Sequence, residues 1–115
     1  MKAMDDGRKY NIRDHARRLL CPACGFPDYA QFEAYDERGG IIGTALCPCC
    51  LWEPGFDDEQ LASERPEVTV LESLRAYREN WRNDLFWRGR DNLRPPDWDG
   101  ATQVDRLLEI APHVR

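Results

Sequence analysis

Cysteines in two close pairs are the residues of this sequence best suited to chemistry. Cys21 with Cys24 and Cys47 with Cys50 share the spacing Cys-x-x-Cys, with a proline after the first cysteine of each pair. A gap of two residues lets one tight turn place two sulfurs at neighbouring corners of a tetrahedron, as structural zinc sites require. We therefore predict a single metal site with four ligands, Cys21, Cys24, Cys47 and Cys50, and zinc as the metal.

The fifth cysteine, Cys49, lies inside the second pair. A site using Cys47 and Cys49 would have one residue between two ligands and a strained geometry, whereas Cys47 with Cys50 repeats the first pair. We predict that Cys49 is a small side chain of the turn, with a redox role as the alternative. For the whole set, two disulfides and a free thiol are the alternative, which the absence of a visible secretory signal disfavours.

Four thiolates complete the coordination shell and leave no position for a reactive water, so the predicted metal is structural. Other residues give little support for enzyme chemistry. The two histidines, His15 and His113, lie in the terminal segments and are interpreted as surface residues. Asp57 and Asp58 belong to an acidic loop, which we interpret as a solvated surface. We predict that the protein is not an enzyme.

The 22 residues between the two cysteine pairs predict the element that positions them. Alternating residues in 29–34 and a β-branched run in 41–46 predict two strands, joined by a turn at 36–40. Because an antiparallel pair returns its ends to one place, the two cysteine turns would face each other.

Two helices are predicted in the second half of the chain. Thr69 and Glu72 have the spacing of a capping box and precede a helix over about 70–85, with apolar residues at steps of three and four. Thr102 is predicted to cap a short last helix that ends before Pro112. The expected fold is a small α+β domain: a zinc-ribbon-like β-hairpin with two cysteine knuckles, packed on one main helix and a short C-terminal helix. We expect residues 1–20 to be a lead-in and 21–115 to form the domain.

Charge and hydropathy argue against two classes of protein, general binders of nucleic acid and membrane-spanning proteins. The chain has 115 residues and a formal net charge of −5, and residues 53–67 carry six acidic side chains and one arginine. An acidic chain is a poor general binder of nucleic acid. No apolar run approaches the roughly 20 residues of a membrane helix, and no secretory signal is visible, so we expect a cytoplasmic protein.

The cysteine motifs, CPACGF from Cys21 and CPCCLWE from Cys47, followed by Asp57 and Asp58, resemble the bacterial cysteine-rich CPCC family. Those proteins are small, zinc-ribbon-like and largely uncharacterised. The resemblance covers roughly 21–96 and implies the same four cysteine ligands, with no established activity.

We expect the domain to bind another protein, because aromatic residues and arginine are enriched at interfaces. Trp87 and Trp98 are the aromatics predicted to be exposed. By analogy, an immunity protein that neutralises a toxin is one binder of this kind. One alternative is a zinc ribbon that binds single-stranded nucleic acid through Arg75, Arg78, Arg82, Arg88, Arg90 and Arg94. Another is an iron electron carrier similar to rubredoxin, against which Leu51 argues, since rubredoxin has glycine after its last cysteine.

Overall fold

The computed structural model describes residues 6–58 and 69–115. These residues form two small antiparallel hairpins and two α-helices, which confirms the small α+β class. In chain order the elements are β1 (Ile12–Arg13), β2 (Leu19–Leu20), β3 (Tyr35–Asp36), β4 (Gly39–Gly40), α1 (Val70–Arg82) and α2 (Gly100–Ile110). Short 3-10 turns lie at Gly7–Tyr10, Asp91–Leu93 and Pro112–Val114. Within the part of the chain described, neither helix is long and apolar enough to cross a membrane.

The first hairpin, β1 with β2, lies within the predicted lead-in. Ile12 pairs with Leu20, and the Asp14 carboxylate holds the connecting turn by accepting the N–H groups of Ala16 and Arg18, both at 2.9 Å. Residues 6–20 supply four members of the hydrophobic core: Tyr10, Ile12, Leu19 and Leu20. These residues are therefore packed against the rest of the protein, and the boundary at residue 20 stays a prediction.

The second hairpin lies between the cysteine pairs, but its strands are not those predicted. Tyr35 pairs with Gly40, and the ladder has two residues on each side, so the predicted strands over 29–34 and 41–46 are wrong. After Ile41 the chain turns at Gly43, which has φ of 81°. The Thr44 hydroxyl donates to the Ile41 carbonyl oxygen at 2.8 Å. A turn closed by this local bond cannot continue a strand ladder.

Helix α1 begins as the capping motif predicts, because the Thr69 hydroxyl accepts the Glu72 N–H at 3.1 Å. It ends at Arg82 rather than 85, and the positive φ of 49° at Leu85 shows that this residue is outside the helix. The predicted cap of α2 was wrong by three residues. Asp99, not Thr102, caps that helix, because its carboxylate accepts two free N–H groups, those of Ala101 and Thr102. Both helices are amphipathic and bury one face in the common core.

Trp87 is the residue whose exposure was predicted wrongly, since only 3% of its surface is accessible. Its indole N–H donates to the Arg90 carbonyl oxygen at 2.9 Å. Its ring packs edge-on against Phe26 and Trp98, with centroids 5.3 and 5.5 Å apart. Trp98 is half-buried. Trp87 therefore belongs to the core, and Trp98 packs against the core with part of its surface exposed.

Candidate metal centre

Four cysteine sulfurs meet in the core, where all four residues are fully buried. The Cys21 and Cys50 sulfurs are 3.8 Å apart, those of Cys24 and Cys47 are 3.6 Å apart, and all four lie within 4.8 Å of one another. None of these cysteines is in a disulfide. With metal–sulfur bonds of about 2.3 Å, a regular tetrahedron has edges of about 3.8 Å. The donor set and its spacing therefore fit a four-coordinate metal ion.

The two cysteine turns have the same backbone geometry. In the first, the Cys21 N–H donates to the Phe26 carbonyl oxygen at 3.0 Å, and the Gly25 N–H donates back to the Cys21 carbonyl oxygen at 2.7 Å. In the second turn the equivalent bonds, at 2.9 and 3.0 Å, join Cys47 with Trp52 and Leu51. Each turn therefore presents its two sulfurs in the same way, and the centre is built from two equivalent halves.

Leu51 occupies the position in the second turn that Gly25 occupies in the first. Gly25 has φ of 88° and Leu51 has φ of 68°, so both are left-handed. This region favours glycine because a Cβ atom there is crowded by the backbone. Since Leu51 adopts it nonetheless, the lack of a glycine leaves the turn unchanged. The sequence argument that Leu51 disfavours iron therefore does not distinguish the two metals.

Helix α2 connects both turns through the buried side chain of Gln103. Its amide nitrogen donates to the Cys24 carbonyl oxygen at 3.0 Å and lies 3.6 Å from the Cys49 sulfur. Its amide oxygen accepts the Trp98 indole N–H at 3.0 Å. Cys49 is fully buried and lies outside the group of four sulfurs that can share one ion.

Arg78 is buried beside the first cysteine turn, although the sequence analysis placed it in a series of arginines that would contact nucleic acid. Only 4% of its surface is accessible. Its guanidinium donates to the carbonyl oxygens of Pro22, Ala23 and Val114, at 2.8, 2.7 and 2.7 Å. It therefore ties the first cysteine turn to α1 and to the end of the chain. A signal was present, because Val70, Leu74 and Arg78 follow at steps of four on one helix face.

A buried arginine lies near the cluster, and it would offset part of the charge of a loaded metal–thiolate centre. Burial lowers the pKa of Arg78, and the neighbouring Cys21 acts in the opposite direction. A tetrathiolate holding a divalent ion carries a net charge of −2, which a buried guanidinium partly offsets. Burial raises the pKa of the Cys24, Cys47 and Cys50 thiols, so a metal ion must displace their protons.

The histidines and the aspartate pair do not belong to the group of side chains that could share one ion. His15 and His113 are exposed, and the His113 ring is 2.8 Å from the Lys9 carbonyl oxygen. Asp57 is half-buried, and its carboxylate accepts the Glu53 N–H at 2.7 Å.

Asp58 corrects the interpretation of the acidic pair as a solvated surface. It is fully buried, and one carboxylate oxygen accepts the N–H groups of Gly40 and Gly55 at 3.2 and 2.9 Å. Buried N–H groups require partners, and Asp58 supplies one for each of two turns. Residues 59–67 of the predicted acidic loop lie outside the described residues.

The arginines proposed for nucleic acid do not form one face. Arg75 donates to the Arg115 carbonyl oxygen at 2.6 Å. With Arg82 it borders a cavity of about 800 Å³ that three acidic residues also line, Glu79, Asp105 and Glu109. Arg88 and Arg90 lie instead beside the second cysteine turn.

No family model, no curated protein and no solved structure matches this chain. The likeness to CPCC proteins therefore stays a prediction from the cysteine motifs.

Proposed function

We propose that this protein is a non-enzymatic, zinc-ribbon-like module of the CPCC type. In it Cys21, Cys24, Cys47 and Cys50 hold a structural zinc ion, and the module binds another protein in the cytoplasm. The observation that carries the metal proposal is the buried group of four free sulfurs with spacings of 3.6 and 3.8 Å. Zinc is the metal for which closed, four-thiolate sites are typical in structural roles.

The metal proposal is tested by elemental analysis of the purified protein, followed by chelation. We expect one zinc per chain and unfolding on its removal, because binding and folding are coupled in small zinc domains. Iron in place of zinc, with the visible absorption of an iron–thiolate centre, would favour the electron carrier. A folded protein without metal would contradict the proposal.

Cys49 and Cys50 offer a matched pair of variants for the ligand assignment. Cys50→Ser removes a proposed ligand and should abolish stoichiometric metal binding. Cys49→Ser changes a neighbouring buried thiol and should retain one metal per chain. Equal metal loss in the two variants would contradict the assignment of Cys49 as the spare cysteine.

The protein-binding part of the proposal is supported by apolar side chains that the fold leaves exposed. They include Phe32, Ile42, Leu46, Phe56, Phe86 and Leu93. Such residues on a small domain are typical of interaction sites when they are contiguous. We expect the tagged protein, purified from its natural host, to retain a stoichiometric partner in size-exclusion chromatography. Elution at its own mass of 13.4 kDa would contradict this part.

A further inference from the structure

A groove beside the second cysteine turn combines apolar and basic side chains. It has a volume of about 540 Å³, and Leu46, Leu51 and Leu93 line it with exposed fractions of 53%, 39% and 50%. Gly89 forms part of its wall, and a side chain at this position would overlap the Pro48 carbonyl oxygen. The Arg88 N–H donates to the Cys49 carbonyl oxygen at 2.8 Å. The groove is therefore built directly on the proposed metal centre.

Leu51 lines this groove in a left-handed conformation that the cysteine turn imposes. A leucine in the left-handed region costs roughly 1–2 kcal/mol relative to the usual conformation. At the equivalent position of the first turn the chain has Gly25. The Leu51 side chain is more than one-third exposed, so core packing only partly offsets this strain. The chain thus has an apolar side chain at a turn position that would suit glycine, and this side chain lines the groove.

The charge of the groove indicates what kind of partner segment fits. The described residues that line it include two arginines, Arg88 and Arg90, and no aspartate or glutamate, although the chain as a whole is acidic. The fully buried Cys47, a proposed ligand of the metal centre, is the other lining residue that would carry charge. Arg88 is already ordered: its guanidinium carbon lies 5.8 Å from the centre of the Tyr77 ring, and it donates to the Asn80 amide oxygen at 3.1 Å. An ordered guanidinium favours paired hydrogen bonds to a carboxylate.

We propose that this groove binds an acidic segment of a partner protein. In this complex, a side chain of the partner, of leucine or phenylalanine size, lies between the three leucines. A carboxylate next to it in the partner segment pairs with Arg88 and Arg90. The inference rests on the proposed protein-binding function and identifies the surface and the chemistry of its partner. A volume of this size accommodates one or two large side chains and so fits a short segment.

The experiment is a selection of random peptides displayed on phage against the full-length, metal-loaded protein. Enriched peptides are synthesised with a fluorescein label, and their dissociation constants are measured by anisotropy. We expect enriched peptides to be acidic, to contain a large apolar residue, and to bind more weakly at high salt. Leu51→Gly and Arg90→Glu should each weaken binding by about tenfold or more, the usual effect of removing a central contact.

Two variants at exposed positions away from the groove serve as controls. Arg38→Glu reverses a charge and Arg82→Met removes one, and both should leave affinity within about twofold of the wild type. Leu51→Gly is itself informative about folding. Because it relieves strain while losing partial burial, it should retain the metal and the fold, so weaker binding would reflect the groove.

Three results would overturn the inference: no enrichment, enrichment of basic or uncharged peptides, or unchanged affinity in Leu51→Gly. Binding of oligothymidine that Arg90→Glu abolishes, without peptide binding, would assign the groove to nucleic acid. The groove and the proposed function fail separately. A natural partner that binds Leu51→Gly with the affinity of the wild type contradicts the groove alone, whereas a folded protein without metal contradicts the metal centre alone.

Discussion

Replacing the buried Arg78 is the sharpest test of how this fold supports its cysteine cluster. Arg78→Met keeps an unbranched apolar side chain on α1 but removes the guanidinium. Three buried carbonyl oxygens then lose their donor, two of them in the first cysteine turn. Arg78→Lys keeps the positive charge and loses the planar arrangement of donors.

The expected loss follows from the three hydrogen bonds. A buried polar group left without a partner costs about 1–3 kcal/mol, so three carbonyls correspond to about 3–9 kcal/mol. The total stability of a domain is about 5–15 kcal/mol. We therefore expect Arg78→Met to lose on the order of 5 kcal/mol, and Arg78→Lys to lose less because it can satisfy part of the set.

Urea unfolding of the metal-loaded protein, followed by tryptophan fluorescence, measures this loss, and zinc transfer to a chelator measures the effect on the centre. Arg82→Met is the matched control, because Arg82 is exposed on the same helix and should change stability by less than about 0.5 kcal/mol. If Arg78→Met lost no more stability than Arg82→Met, the guanidinium would not support the first cysteine turn, and our reasoning would be refuted.

Two further predictions concern the turns of the structure. Leu51→Gly should be more stable than Leu51→Ala by about 1 kcal/mol. Both variants remove the isobutyl group, but only alanine keeps the Cβ atom that is strained in the left-handed region. The urea midpoints of the two variants measure this difference, and equal midpoints would contradict the strain. Burial opposes ionisation of Asp14, but hydrogen bonds from Arg18 and Ala16 outweigh it and hold the pKa of this carboxyl below its usual value. A lowered folded-state pKa stabilises the protein above the unfolded-state pKa of about 3.9, and this stabilisation is lost as pH falls through the folded-state pKa. The difference in unfolding free energy between the wild type and Asp14→Asn should therefore shrink in acid. Urea unfolding of both proteins at neutral and acidic pH measures it, and a constant difference would contradict the prediction.

The local features of this protein could be predicted from its sequence. The cysteine spacing predicted two equivalent turns, and the structure brings their four sulfurs together. The Thr69 capping motif correctly located the start of α1. These features depend on residues within a few positions of one another, so local backbone geometry is sufficient to specify them.

Tertiary structure decided which polar and aromatic groups are buried. Arg78 bonds to carbonyls 55, 56 and 36 residues away, and Asp58 accepts the N–H of Gly40, 18 residues away. A charged residue on a helix or in a loop is exposed by default, and only the packing of distant segments supplies the partners that make its burial favourable. The same holds for Trp87, which packs on Phe26, and for the groove at Leu51, because both depend on where the segment after α1 crosses the second cysteine turn.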